Sequence, residues 1–164
     1  MARNKAKTMN DFHRAWAAAC APHVSEAIEA VALFNPPGAV AGQAAAVAGR
    51  SAGGLLGRFA GARAAAAGTS SSSPVPVPAV VVGIVTASAI HFFEAEATPD
   101  ASQLRIVAPW KSLTRVGLRL DVNRKLMSER LSFTLLSGEI LDLDGMFTPK
   151  SKERPYQAFI DVFR

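Results

Sequence analysis

The chain has 164 residues, 49% of them hydrophobic, which allows one ordinary domain plus an appendage and excludes wholesale disorder. Its single cysteine excludes an intrachain disulfide and a cysteine-based zinc cage. The net charge of +5 is uneven: residues 1–14 carry Arg3, Lys5, Lys7 and Arg14 against Asp11, whereas residues 79–164 balance eleven basic side chains with ten acidic ones.

That basic start runs into Asn10-Asp11-Phe12-His13-Arg14 where a secretory leader would be apolar. No run of about twenty uncharged apolar residues follows. The expectation is a cytoplasmic protein, with peripheral attachment at the inner face of the membrane as the variant. Asn10 or Asp11 suits the cap of a helix whose apolar face is Phe12, Ala15, Trp16, Ala19 and Cys20, and Pro22 should stop it. Ile28, Leu33 and Phe34 then fit a first strand or a short helix, with strand preferred, before the breaker Asn35-Pro36-Pro37-Gly38.

Of the 31 alanines, 21 lie between Ala15 and Ala67, while eight of the twelve aromatics lie from Ala79 onward. The first half is therefore poor in the bulky residues that fill a core. Within residues 38–68, Gly49, Gly53, Gly57 and Gly61 recur every four residues, and a helix would line them up as a stripe open to another backbone. That stripe is a candidate self-association surface. The competing reading is a low-complexity connector, because each glycine in a helix costs about 1 kcal/mol relative to alanine. Arg50, Arg58 and Arg63 oppose full membrane insertion. Residues 69–78, TSSSSPVPVP, read as a Ser/Pro linker.

From Ala79 the period changes to that of strands. Val80 to Val85 is a β-branched run, Ile90 to Glu96 follows a short turn, and Leu104 to Val107 resumes after Pro99-Asp100. Val116, Leu118, Leu120 and Val122 alternate with Arg115, Gly117, Arg119 and Asp121, which predicts one half-buried strand from Leu113 to Val122. Leu131 to Leu135 and Glu139 to Asp144 flank the turn Ser137-Gly138. Pro155 suits a first helical turn, and Tyr156, Phe159, Ile160 and Phe163 follow at helical spacing.

With these residues laid out, residues 79–164 resemble bacterial pleckstrin-homology-like (PH-like) domains, including their GRAM-type relatives. Val82-Gly83-Ile84-Val85-Thr86 and Ile90-His91-Phe92-Phe93 resemble that family's first hairpin, and Trp110-Lys111-Ser112-Leu113 its aromatic-basic step. Ser137 to Leu141 resembles the turn before the last strand, and Pro155 to Arg164 the plugging helix. The resemblance implies a β-barrel of about six or seven strands with a C-terminal capping helix, acting as a binding or regulatory module. Val80 to Glu96 contains no Lys or Arg, which departs from the inositide-binding members. The expected organisation is a basic tail, helix and possible first strand over 1–37, the glycine-zipper-like segment over 38–68, the linker over 69–78 and the PH-like domain over 79–164.

Candidate chemistry is sparse. His13, Cys20 and His23 lie close in sequence, but Pro22 intervenes and no carboxylate sits at ligand spacing, so no metal or other cofactor is expected. Asp142-Leu143-Asp144-Gly145 fails the calcium-loop pattern at Ile140 and Ser151, and its two aspartates read as the solvent face of a strand. No hydrolase, zincin or Walker motif occurs, so no catalytic residue is assigned. The binding candidates are Lys111, Arg115, Arg119, Arg124 and Lys125, a basic face suited to a protein partner or an anionic membrane surface. Nucleic acid is disfavoured, because Trp110 is the only aromatic interleaved among them. A homo-oligomer built through the glycine stripe is the alternative.

Overall fold

The computed structural model describes residues 9–38, 77–97, 104–125, 128–146 and 154–164. Helix α1 (Met9–Cys20) and a 3-10 turn (Ala21–His23) precede β1 (Ala30–Phe34). Then come β2 (Val81–Val85), β3 (Ala89–Ala97), β4 (Leu104–Thr114), β5 (Arg119–Arg124), β6 (Ser128–Thr134), β7 (Ile140–Met146) and the short helix α2 (Gln157–Asp161). The described strands form two antiparallel sheets, β1-β2-β3-β4 and β5-β6-β7. The mainly-β class therefore holds, but as two sheets and not as one closed barrel. The leading residues 1–8, the Gly49, Gly53, Gly57 and Gly61 stripe and most of the Ser/Pro linker lie outside the described residues.

The β-branched run Val81-Val82-Gly83-Ile84-Val85 forms β2, which lies between β1 and β3 and is buried along its whole length. Alternation sends Val81 and Val85 into the space between the sheets, with Ala30, Ala32 and Phe34 of β1 and Ile90 and Phe92 of β3. Val82 and Ile84 point the other way, toward Trp16 and Cys20 of α1, with Val31, Leu33 and Phe93. The first sheet is thus covered on both faces, and β1, which precedes the Ser/Pro linker, belongs to the same sheet as the strands after it. The helix face is not quite the expected one: Ala15 is exposed, and Ala17 packs instead. Thr86 closes the β2–β3 turn, its hydroxyl donating to the Ala89 carbonyl (3.2 Å).

Between the sheets, Leu131 and Phe133 of β6 and Leu141 and Leu143 of β7 meet the inner face of the first sheet. Phe159 of α2 inserts here, its ring edge-on to Phe34 at 5.2 Å and to Phe133 at 6.0 Å. No side chain fits at position 83, because a Cβ there would stand 2.7 Å from Phe34 and 3.0 Å from Phe92. The expected helix from Pro155 to Arg164 contracts to Gln157–Asp161 with turns on either side, yet Tyr156, Phe159 and Ile160 are buried as the spacing requires.

Two strand readings are corrected. Leu104 to Thr114 is one long strand, and the stretch from Leu113 to Val122 is not one: the chain turns over Arg115–Leu118, and β5 starts at Arg119. The alternation of Val116 and Leu118 runs through that turn by coincidence of spacing. Gly117 supplies the left-handed residue the turn needs, at φ 70°. Asp144 is not on a solvent face either, being only 2% exposed at the corner where the sheets meet. There Asn35 and Asp144 exchange backbone hydrogen bonds of 2.9 and 3.0 Å.

Candidate functional site

Three groups of polar side chains stand out, and two of them hold the fold together. At the sheet junction, Arg130 Nε donates to Asp144 Oδ1 at 2.9 Å, and the Gly38 amide donates to Asp144 Oδ2 at 2.7 Å. The carboxylate keeps the Arg130 guanidinium protonated to higher pH than usual. Asn35, fully buried beside this pair, has no partner for its side-chain amide among the described residues. On the inner side of the same strand, Glu129 accepts from the Tyr156 hydroxyl (2.8 Å) and pairs with Arg154 (2.8 Å). Burial first, and the Glu129 bond second, hold the Tyr156 phenol above its ordinary range. None of these residues had been marked as a site. Their signal in sequence was a register, since Arg130 faces Asp144 across β6 and β7.

The third group is the basic face, and the structure divides it. Lys111 forms an ion pair with Glu139 in the turn before β7. Arg115 is a clamp: its guanidinium reaches Glu29 at 2.8 Å and the Thr86 carbonyl at 2.8 Å, tying the approach to β1 to the β2–β3 turn. Beside it, Ser88 donates to Glu26 through its hydroxyl (2.6 Å) and amide (3.1 Å), and these bonds, with one from Thr86, lower the Glu26 carboxyl to about 2. Arg115 and Arg119 therefore do not share a strand face. Arg119 and Lys125 stand exposed at the two ends of β5, and Arg124 beside Lys125 is exposed but has a partner within the molecule.

β5 itself is the most solvent-exposed strand described. Only Leu120 is partly covered, and Val122 is 40% exposed. It pairs with β6 in unbroken register from Arg119↔Thr134 to Arg124↔Glu129 and with no other described strand. Near the Arg119 end, Val116 and Leu136 are also open, at 75% and 78% exposure.

The helix residues read above as a failed ligand set are engaged in packing. His13 Nε2 lies 2.7 Å from the Pro155 carbonyl, the His23 ring packs on Phe93, and burial pushes the Cys20 thiol up to about 12. Among the described residues, no three His, Cys, Asp or Glu side chains gather as a metal site would require, and no helix is long and apolar enough to cross a membrane. No family model matches the chain, and no curated protein or solved structure matches it either.

Proposed function

We propose that this chain is a PH-like binding module that docks on a protein partner through β5 and the turn that follows it. The strand order supports the PH-like reading: four antiparallel strands, then three, then a terminal helix whose aromatic face enters the space between the sheets. The observation that carries the docking surface is the division of the basic face. Lys111 and Arg115 are engaged within the molecule, whereas Arg119 and Lys125 stand exposed beside an edge strand.

The same division favours protein over membrane. Each basic residue near an anionic surface contributes roughly 1 kcal/mol. The two cations left at the ends of this edge, Arg119 and Lys125, opposed by Asp121, reach about 2 kcal/mol at most, short of the roughly 4 kcal/mol that corresponds to a millimolar affinity.

The test is a photo-crosslinking amino acid at Asn123 of the full chain, expressed in its own cells. A discrete protein adduct is expected from Asn123, lost in Arg119→Glu/Lys125→Glu and absent when the probe sits at the exposed Ala18 of α1. Adducts of equal yield from both positions overturn the reading. So does charge-dependent pelleting of the full chain with phosphatidylglycerol vesicles, which identifies a membrane reader.

A further inference from the structure

We infer that β5 takes up an extended acidic segment of its protein partner by strand addition, as a fourth strand on the β5-β6-β7 sheet. The inference rests on the binding-module reading above and says how that module grips its partner.

The described sheets have four edges, and three of them carry features that oppose strand addition. The β1 and β7 edges meet each other through the Asn35–Asp144 bridge. The β4 edge carries Pro109, which has no amide hydrogen, and two register shifts that leave Trp110 and Val107 without a partner on β3. Prolines and bulges are the usual devices that keep an edge from recruiting another strand. β5 has neither, and its six residues are in continuous register.

Its hydrogen-bonding pattern follows from one contact. The Lys125 amide donates to the Ser128 carbonyl at 2.8 Å. Antiparallel pairs alternate between bonded and non-bonded, so Asn123, Asp121 and Arg119 turn their backbone groups toward β6. Leu120 and Val122 turn theirs outward, to the edge where no described strand lies. An incoming strand would bond to these two residues, which supply two amides and two carbonyls.

The side chains beside this edge select the occupant. On one face it offers Leu120 and the open Val122, followed by Arg124, and on the other Arg119 and Asn123 flank Asp121, with Lys125 at the end. An added strand therefore fits when apolar residues face Leu120 and Val122, acidic ones face Arg119 and Lys125, and neutral polar ones face Asp121 and Asn123. A second copy of this chain fits poorly, because the longest self-pairing register, centred on Val122, sets Arg119 against Lys125 twice, and like charges directly opposite repel.

The experiment uses the isotope-labelled full chain and the capped peptide Glu-Val-Ser-Val-Ser-Val-Glu, which sets its two acids against Arg119 and Lys125 in either direction, with Lys-Val-Ser-Val-Ser-Val-Lys as control. In the free chain the Leu120 and Val122 amides should exchange with solvent quickly, and those of Asp121 and Asn123 slowly. The acidic peptide should shift the β5 resonances with millimolar or better affinity and slow exchange at Leu120 and Val122 by about tenfold, as a bound edge must. Val122→Pro removes only an outward donor and should weaken the peptide by about tenfold while leaving the β6–β7 resonances in place. Protection of Leu120 and Val122 in the free chain overturns the inference, as does equal binding of the lysine peptide or the absence of β5 shifts. Concentration-dependent shifts without peptide overturn it in favour of a second copy. An Asn123 crosslink that survives Val122→Pro sinks strand addition alone, whereas loss of every crosslink in the unsubstituted chain sinks the docking reading beneath it.

Discussion

β2 and β5 are short strands of one molecule in opposite physical situations. β2 has a neighbour on each side and apolar cover on each face, and all five of its residues are buried. Among the described residues β5 has one neighbouring strand and one half-covered face. The composition of β2 is dictated by packing, down to the glycine that makes room for three phenylalanine rings. That of β5 is constrained at Leu120 and little elsewhere. Packing thus concentrates stability in β2, and β5, the strand proposed for docking, can vary with little harm to it.

The largest test of this contrast is Phe133→Ala, which removes the ring that meets Phe92, Phe159 and Phe163 between the sheets. Urea unfolding should show a loss of about 3–5 kcal/mol. Gly83→Val should cost about 3 kcal/mol by overpacking, since its Cβ would press on Phe34, Phe92 and Phe159. Tyr156→Phe, which deletes one hydrogen bond to the buried Glu129 carboxylate, should cost roughly 1.5–2 kcal/mol, with Arg154 still in place. On β5, Arg119→Ala should move stability by no more than about 0.5 kcal/mol, and a cost equal to that of Gly83→Val would erase the contrast.

The smallest effect is a titration. Glu26 is an exposed carboxyl whose pKa is depressed to about 2, first by the Ser88 hydroxyl. A depressed acid stabilises the fold above its ordinary pKa of about 4.5 and loses that contribution as pH falls toward about 2. Carbon-detected titration should find the low midpoint in the full chain, and Ser88→Ala should return it toward 4.5.

Much of the frame could be read from residues in order. β2, β3, β6 and β7 announced themselves by β-branched content and alternation, and the apolar spacing of Tyr156, Phe159 and Ile160 survived although the helix carrying them is short. The turn at Arg115–Leu118 was hidden because Val116, Leu118 and Leu120 keep a period of two straight through it. The basic face was harder, because a cation's availability depends on what lies across space. Lys111 is taken up by Glu139, 28 residues on, and Arg115 by Glu29, 86 residues back. Neither pairing leaves a local mark. Asp144 was misread for the same reason, since its burial comes from Asn35 and Gly38, more than a hundred residues earlier.

The pairing of β1 with β2 also bears on how the chain folds. Their register joins Phe34 to Val81, so 46 residues separate two strands that lie side by side. Closing that length of unfolded chain costs about 2 kcal/mol more than closing a four-residue hairpin, because the entropy grows only with the logarithm of length. β2 to β7 connect through shorter intervals and can assemble first, leaving β1 and α1 to dock as the late event. Until they do, β2 presents a bare valine-rich edge, and the stretch of folding most exposed to aggregation is the wait for residues 9–38 to arrive.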